Sequence, residues 1–143
     1  MANNFRISNA AAIRMADAFD DEVNVGSTAS TIRILTGTQP TDPDTAESGT
    51  LLAVLTASDP MFGSASDAAP GALLTASAIT DDTSANTAGT AGYFRIAATG
   101  IGADDVADGE VGTSGADLNF NTVNFTKGST VSITSFKVTM PES

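Results

Sequence analysis

A mainly β protein, an antiparallel β-sandwich of jelly-roll-like type preceded by one short N-terminal α-helix, is the fold class the sequence predicts. Three observations predict it. Short runs with apolar residues at every second position recur between clusters of Gly, Pro, Asn and Asp. One Ala-rich stretch near the start has helical spacing instead. Thr and Ser alternate with apolar residues throughout, as on a solvated sheet face. With 143 residues, a single domain spanning 1–143 is expected, with an N-terminal arm and helix over about 1–24. A chain of this size buries roughly 68–70% of its unfolded surface, so a core needs neither disulfide nor metal. Hydrophobic residues make up 41% but aromatics only 6%, which predicts a thin core or one completed by another subunit.

The helix is expected from Ser8-Asn9, a capping pair, followed by Ala10, Ala11, Ala12, Ile13 and Met15. Ile13, Ala16, Phe19 or Asp20, and Val23 fall near one face. Asp20, Asp21 and Glu22 oppose the macrodipole at the C-terminal end, so fraying is expected by about Asp21. A strand follows at 31–36, with Ile32 and Ile34 on one face and Arg33 and Leu35 on the other. A turn-rich loop with Pro40 and Pro43 separates it from a second strand over 50–56, buried on both faces for part of its length and ending before Asp59-Pro60.

Met61-Phe62 is read as a small anchor within a loop, and 73–79 as a strand. Tyr93-Phe94-Arg95-Ile96-Ala97 places Phe94 and Ile96 on one face, Tyr93 and Arg95 on the other. Segment 101–108 is read as a Gly- and Asp-rich connection, and 109–112 as at most a short edge strand. Near the C-terminus, Thr126-Lys127-Gly128-Ser129 suggests a hairpin turn. Val131 and Ile133 share one parity while Phe136, Val138 and Met140 share the other. That switch predicts a β-bulge near Thr134–Ser135, and a similar slip is expected at Asn121–Thr122.

The side-chain inventory narrows function. There is no His, Cys or Trp, and six Lys plus Arg face seventeen Asp plus Glu. Ser-His-Asp and Cys-His catalysis, and metal or haem sites built on His or Cys, require side chains this chain lacks. A net charge of −11 argues against nucleic-acid partners and against anionic membrane surfaces. Near the N-terminus, Asn3, Asn4, Arg6, Arg14 and Asp17 interrupt any apolar run, so synthesis and folding in a cytoplasm are expected.

Acidic pairs and triplets at Asp42/Asp44, Asp81/Asp82 and Asp104/Asp105/Asp108 suit a hard cation in type, but none has EF-hand spacing. Turn capping and solubility account for them, and no metal site, cofactor or catalytic residue is assigned. Paired carboxylates of glycosidase type lack the aromatic cleft a sugar needs, with one Tyr in the chain. Gly100-Ile101-Gly102 has no third glycine of a dinucleotide fingerprint. Arg33, Arg95 and Lys137 lie in strand-like runs and are expected to pair with nearby carboxylates. The segment before the helix, with Asn4, Phe5, Arg6 and Ile7, together with Arg14, is the candidate partner contact, because aromatic and Arg side chains anchor interfaces.

Nearly the full length resembles a group of small virion proteins of tailed bacteriophages and prophages. The resemblance is carried by Asn4-Phe5-Arg6-Ile7-Ser8-Asn9-Ala10-Ala11, Ile32-Arg33-Ile34-Leu35-Thr36-Gly37-Thr38-Gln39-Pro40 and Gly92-Tyr93-Phe94-Arg95-Ile96. It continues through Asp108-Gly109-Glu110-Val111-Gly112-Thr113-Ser114-Gly115 and Ser132-Ile133-Thr134-Ser135-Phe136-Lys137-Val138. It implies a non-enzymatic decoration, or cement, protein on the outer capsid surface. The implied partners are the major capsid protein and further copies of the chain, as a homo-trimer or homo-dimer. A tail or fibre component, and a calcium- or glycan-binding adhesion module, are the alternative expectations.

Overall fold

In the computed structural model, which describes residues 4–26, 28–99 and 104–142, the chain is mainly β, with 40% strand, 11% helix and a curled principal sheet. The described elements are α1 (Asn9–Val23), β1 (Thr28–Thr36), β2 (Leu51–Thr56), β3 (Ser66–Asp67), β4 (Ala72–Thr75), β5 (Gly89–Thr99), β6 (Asp105–Gly112), β7 (Leu118–Asn119), β8 (Asn124–Phe125) and β9 (Lys137–Met140). The principal sheet runs β2-β1-β5-β6-β7, with β8 pairing the start of β5. A smaller sheet runs β3-β4-β9. Pairing is antiparallel except between β6 and β7, where Val111 and Gly112 lie parallel to Leu118 and Asn119.

The apolar parity of β1 and β5 sets the inner face. Ile32 sits opposite Leu55 and Ile96, and Ile34 opposite Ala53 and Phe94. Phe94 lies across from Gly109, and a Cβ there would come within 2.7 Å of the Phe94 ring. Glycine thus makes room for the aromatic ring in a strand it would otherwise weaken. Helix α1 packs on this side, burying Ala12, Ala16 and Val23, with Ile13 and Phe19 half-buried. An aromatic chain then joins the layers. Phe19 meets Phe62 at 6.1 Å, Phe62 meets Phe136 at 6.2 Å, and Phe136 meets Phe94 edge-on at 5.6 Å. Such pairs contribute about 0.5–1.5 kcal/mol each beyond their area. The loop residues Met61 and Phe62 are therefore part of the core, fully buried.

Several expectations need correction. The helix does not fray at Asp21 but continues to Val23. Asn24 closes it, its Nδ2 donating to the Asp20 carbonyl and carboxylate, both at 2.7 Å. The Asp20 carboxylate also accepts from Phe62 N–H at 3.3 Å, and Asn24 Oδ1 from Met61 N–H at 2.8 Å. Docking onto this loop offsets the adverse dipole term.

Segment 101–108 is not wholly a connection. From Asp105 the chain is strand, continuous with 109–112 and paired along β5, so 109–112 belongs to an interior strand; residues 101–103 lie outside the described ones. The strand at 73–79 is shorter, ending at Thr75. Thr126-Lys127-Gly128-Ser129 does turn, with Ser129 N–H donating to Thr126 O at 3.0 Å and Gly128 at φ +81°. It closes no hairpin, however, because β8 pairs with β5 and Val131 bridges to Asp82. The parity switches at Asn121–Thr122 and Thr134–Ser135 fall in irregular chain, not in bulged strands. Val131, Ile133 and Phe136 all reach the core because that segment is free of the two-residue period. The register shifts lie elsewhere, at Thr28/Thr31, Ile34/Leu35 and Leu35/Thr36 in β1 and at Ile96/Ala97 in β5.

Candidate interaction surface

The outer face of β1, β5 and β6 is charged. Arg33 and Arg95 stand directly opposite each other, and Arg95 opposite Asp108. Two adjacent guanidinium groups repel, so carboxylates must stand beside them. Arg95, with no exposed surface, donates from Nη1 to Asp105 at 3.0 Å and from Nη2 to Asp108 at 3.1 Å. Arg33 pairs with Asp105 as well, and its Nε lies 2.7 Å from Glu47, out of line for a hydrogen bond.

Asp105 and Asp108 are three apart, and strict alternation would put them on opposite faces. The register shift at Ile96/Ala97 takes up Val106 as an extra residue, bringing both carboxylates to the Arg95 side. Desolvation opposes the Arg95 charge, but its hydrogen bonds to Asp108 and Asp105 outweigh it and hold the guanidinium above its ordinary range.

This charged cluster straps down the loop 37–50. Arg95 also donates to the Thr45 carbonyl at 2.7 Å, and Gln39 to Asp108 at 2.6 Å. The fully buried Tyr93 accepts from Ser48 N–H at 3.0 Å and donates to Ser48 O at 2.6 Å. Every contact here fixes a loop on a sheet. The expected pairing of Arg33 and Arg95 with nearby carboxylates is thus present, whereas Lys137 makes no ion pair among the described residues. The roles of Asp105 and Asp108 were hidden because a strand with two Asp and a Gly reads as a loop.

The other acidic positions act locally. Asp42 caps Thr45 through its N–H at 2.8 Å and hydroxyl at 2.9 Å, and the hydroxyl bond from Thr45 holds its carboxyl below the usual range. Asp82 accepts from Val54 N–H and Ser84 N–H, closing the edge of β2. No group of three or more possible metal ligands occurs among the described residues, and none of their helices is long and apolar enough to cross a membrane.

The candidate contact residues divide between surface and core. Asn4, Phe5 and Arg6 are exposed ahead of α1, and Arg6 Nε donates to Asn4 Oδ1 at 3.4 Å. Ile7 is half-buried against the core, and its N–H donates to Glu142 O at 3.1 Å, fixing the root of the arm just beyond β9. Arg14 is exposed on α1 beside Met15. Phe5 at 78% and Met15 at 53% are the large apolar side chains most exposed among the described residues. Both adjoin an exposed arginine on a chain of net charge −11. Clefts open elsewhere on the molecule. One of about 480 Å³ is formed by 118–135 and lined by Asn, Ser and Thr around Phe120 and Phe125. Another of about 380 Å³ is lined by 76–79 and 133–136, and one of about 300 Å³ lies between β6 and β9.

No protein-family model matches this chain, and comparison with curated proteins and with solved structures gives no match.

Proposed function

We propose that this protein is a non-enzymatic virion component of a tailed bacteriophage, a decoration protein that binds the outside of the head shell and stabilises it. The single observation that carries the reading is the N-terminal contact surface. Phe5 and Arg6 on the arm, and Arg14 and Met15 on α1, are exposed apolar and cationic groups on an otherwise acidic β body. Aromatic and Arg side chains are the usual anchors of protein interfaces. The resemblance of the strand and turn segments to small phage virion proteins supports the same role. So does a body whose buried charges serve to hold a loop in place.

Within this reading the two sheets form the jelly-roll-like sandwich of such proteins. The major capsid protein is the main partner. Several copies act together, so that weak contacts per copy sum to firm attachment by avidity. Removal of residues 1–6 is the direct test, since the truncation spares Ile7 and its core contacts. Shell binding should be lost while the β circular-dichroism signature and melting temperature hold. Undiminished binding by the truncated protein would exclude the arm as the contact.

A further inference from the structure

We propose that the cleft formed by residues 118–135 binds a neutral oligosaccharide, as a site separate from the shell contact. It goes beyond the decoration role and uses none of that contact's residues, since Phe5, Arg6, Arg14 and Met15 lie outside the cleft.

The cleft is uncharged on a strongly charged molecule. Asp, Glu, Lys and Arg make up 16% of the chain, yet none of them lines this cleft. An anion would find no cation there, and a hard cation no carboxylate. A wholly apolar ligand would strip water from the lining amides and hydroxyls without replacing its hydrogen bonds. A sugar matches both parts of the lining. Its hydroxyls exchange hydrogen bonds with Asn, Ser and Thr, while its C–H face lies against the Phe120 ring. At about 480 Å³ the cleft falls within the roughly 300–1,000 Å³ of small-ligand sites. It holds no pair of carboxylates for glycoside cleavage, so it binds without cutting.

Several of its groups are already set in place. Phe125 is buried and meets the half-buried Phe120 edge-on, with centroids 5.4 Å apart and planes at 88°, which steadies the Phe120 ring. Asn124 Oδ1 accepts from the Thr90 hydroxyl at 2.9 Å, which orients the amide and leaves its Nδ2 hydrogens to donate. The Asn124 N–H donates to Thr122 Oγ1 at 3.2 Å, so that hydroxyl keeps its proton for another acceptor. Asn121, Thr126, Ser132 and Thr134 are exposed, and their side chains make no hydrogen bond among the described residues. The main chain over 132–135 makes none either, because that segment follows no strand pairing.

Titration of isotope-labelled protein with neutral trisaccharides of glucose, mannose, galactose and N-acetylglucosamine, read by amide NMR without capsids, tests the site. At least one of the four should give saturable shifts centred on 118–135. Phe120→Ala should weaken that binding by about tenfold or more, and Phe120→Tyr should retain it. Asn121→Ala and Thr134→Ala remove exposed side chains without internal hydrogen bonds. Each should weaken binding by about two- to tenfold while the melting temperature holds. Absence of saturable shifts with all four sugars, shifts centred elsewhere, or affinity unchanged in Phe120→Ala and Asn121→Ala would each overturn the site. Tighter binding of the anionic sialyllactose would overturn its preference for neutral sugars. Saturation by an uncharged Ser- and Thr-rich hexapeptide, with no sugar bound, would overturn the saccharide assignment in favour of an extended peptide.

Discussion

At the scale of single residues, burial decides which charges matter. Arg95 has no exposed side-chain surface and Asp108 only 4%, so removing the guanidinium strands the Asp108 carboxylate in a dry site. Arg95→Met should destabilise the fold by about 3–5 kcal/mol, as loss of one partner of a buried pair does. Arg33 is 28% exposed, and Arg33→Met should cost about 1 kcal/mol or less. Urea denaturation of the two variants distinguishes these outcomes.

Asp20 gives a pH signature of the opposite kind. Burial raises its carboxyl above the ordinary 3.8, against hydrogen bonds from Asn24 and Phe62 N–H that lower it. A group raised in the folded state holds its proton more tightly there, so its contribution is full below the unfolded value and lost as pH rises through the folded one. Asp20→Asn removes that loss. The melting temperature of the variant relative to the unmodified protein should therefore increase between about pH 3 and pH 7. A constant difference would show that Asp20 does not titrate differently on folding. The depressed Asp42 carboxyl acts in reverse, its stabilisation present above 3.8 and lost as pH falls.

Among the elements, helix α1 shows how tertiary contacts complete what local propensity leaves unfinished. Three acidic residues crowd its last turn, yet Asn24 and the 59–62 loop close it. Asn24→Ala leaves the Met61 N–H without its partner and removes the side-chain donor to the Asp20 carboxylate, and should cost about 1–3 kcal/mol. Hydrogen exchange should show faster opening of the last turn, with the first turn, capped by Ser8, unaffected. The helix, β1, β2 and the centre of β5 were legible because their apolar spacing is regular. Strand β6 was not, since Asp105, Asp108 and Gly109 disfavour a strand locally and are accommodated only by Arg95, Arg33 and the Phe94 ring across the sheet. The chain from Phe125 to Phe136 misled in the other direction. Its alternation is strand-like, but its partners are Asp82, Ala85 and the aromatic core rather than itself.

For the whole molecule, one line of phenylalanines, Phe19, Phe62, Phe136 and Phe94, joins α1 to the principal sheet. The candidate contact was legible only in part. Exposure of Phe5 and Arg6 follows from their place outside the periodic segments and that of Arg14 from its place off the apolar face of α1, whereas Ile7 folds back beside Glu142 because its apolar side chain reaches the core. The cleft between β6 and β9 had no signature in the sequence, as its walls come from strands far apart in the chain.

Titration of the purified protein onto undecorated, expanded capsids, followed by co-sedimentation, tests the decoration role most directly. Saturable binding at a fixed number of copies per capsomer is the expected result. Folded protein that stays in the supernatant at every ratio would contradict it.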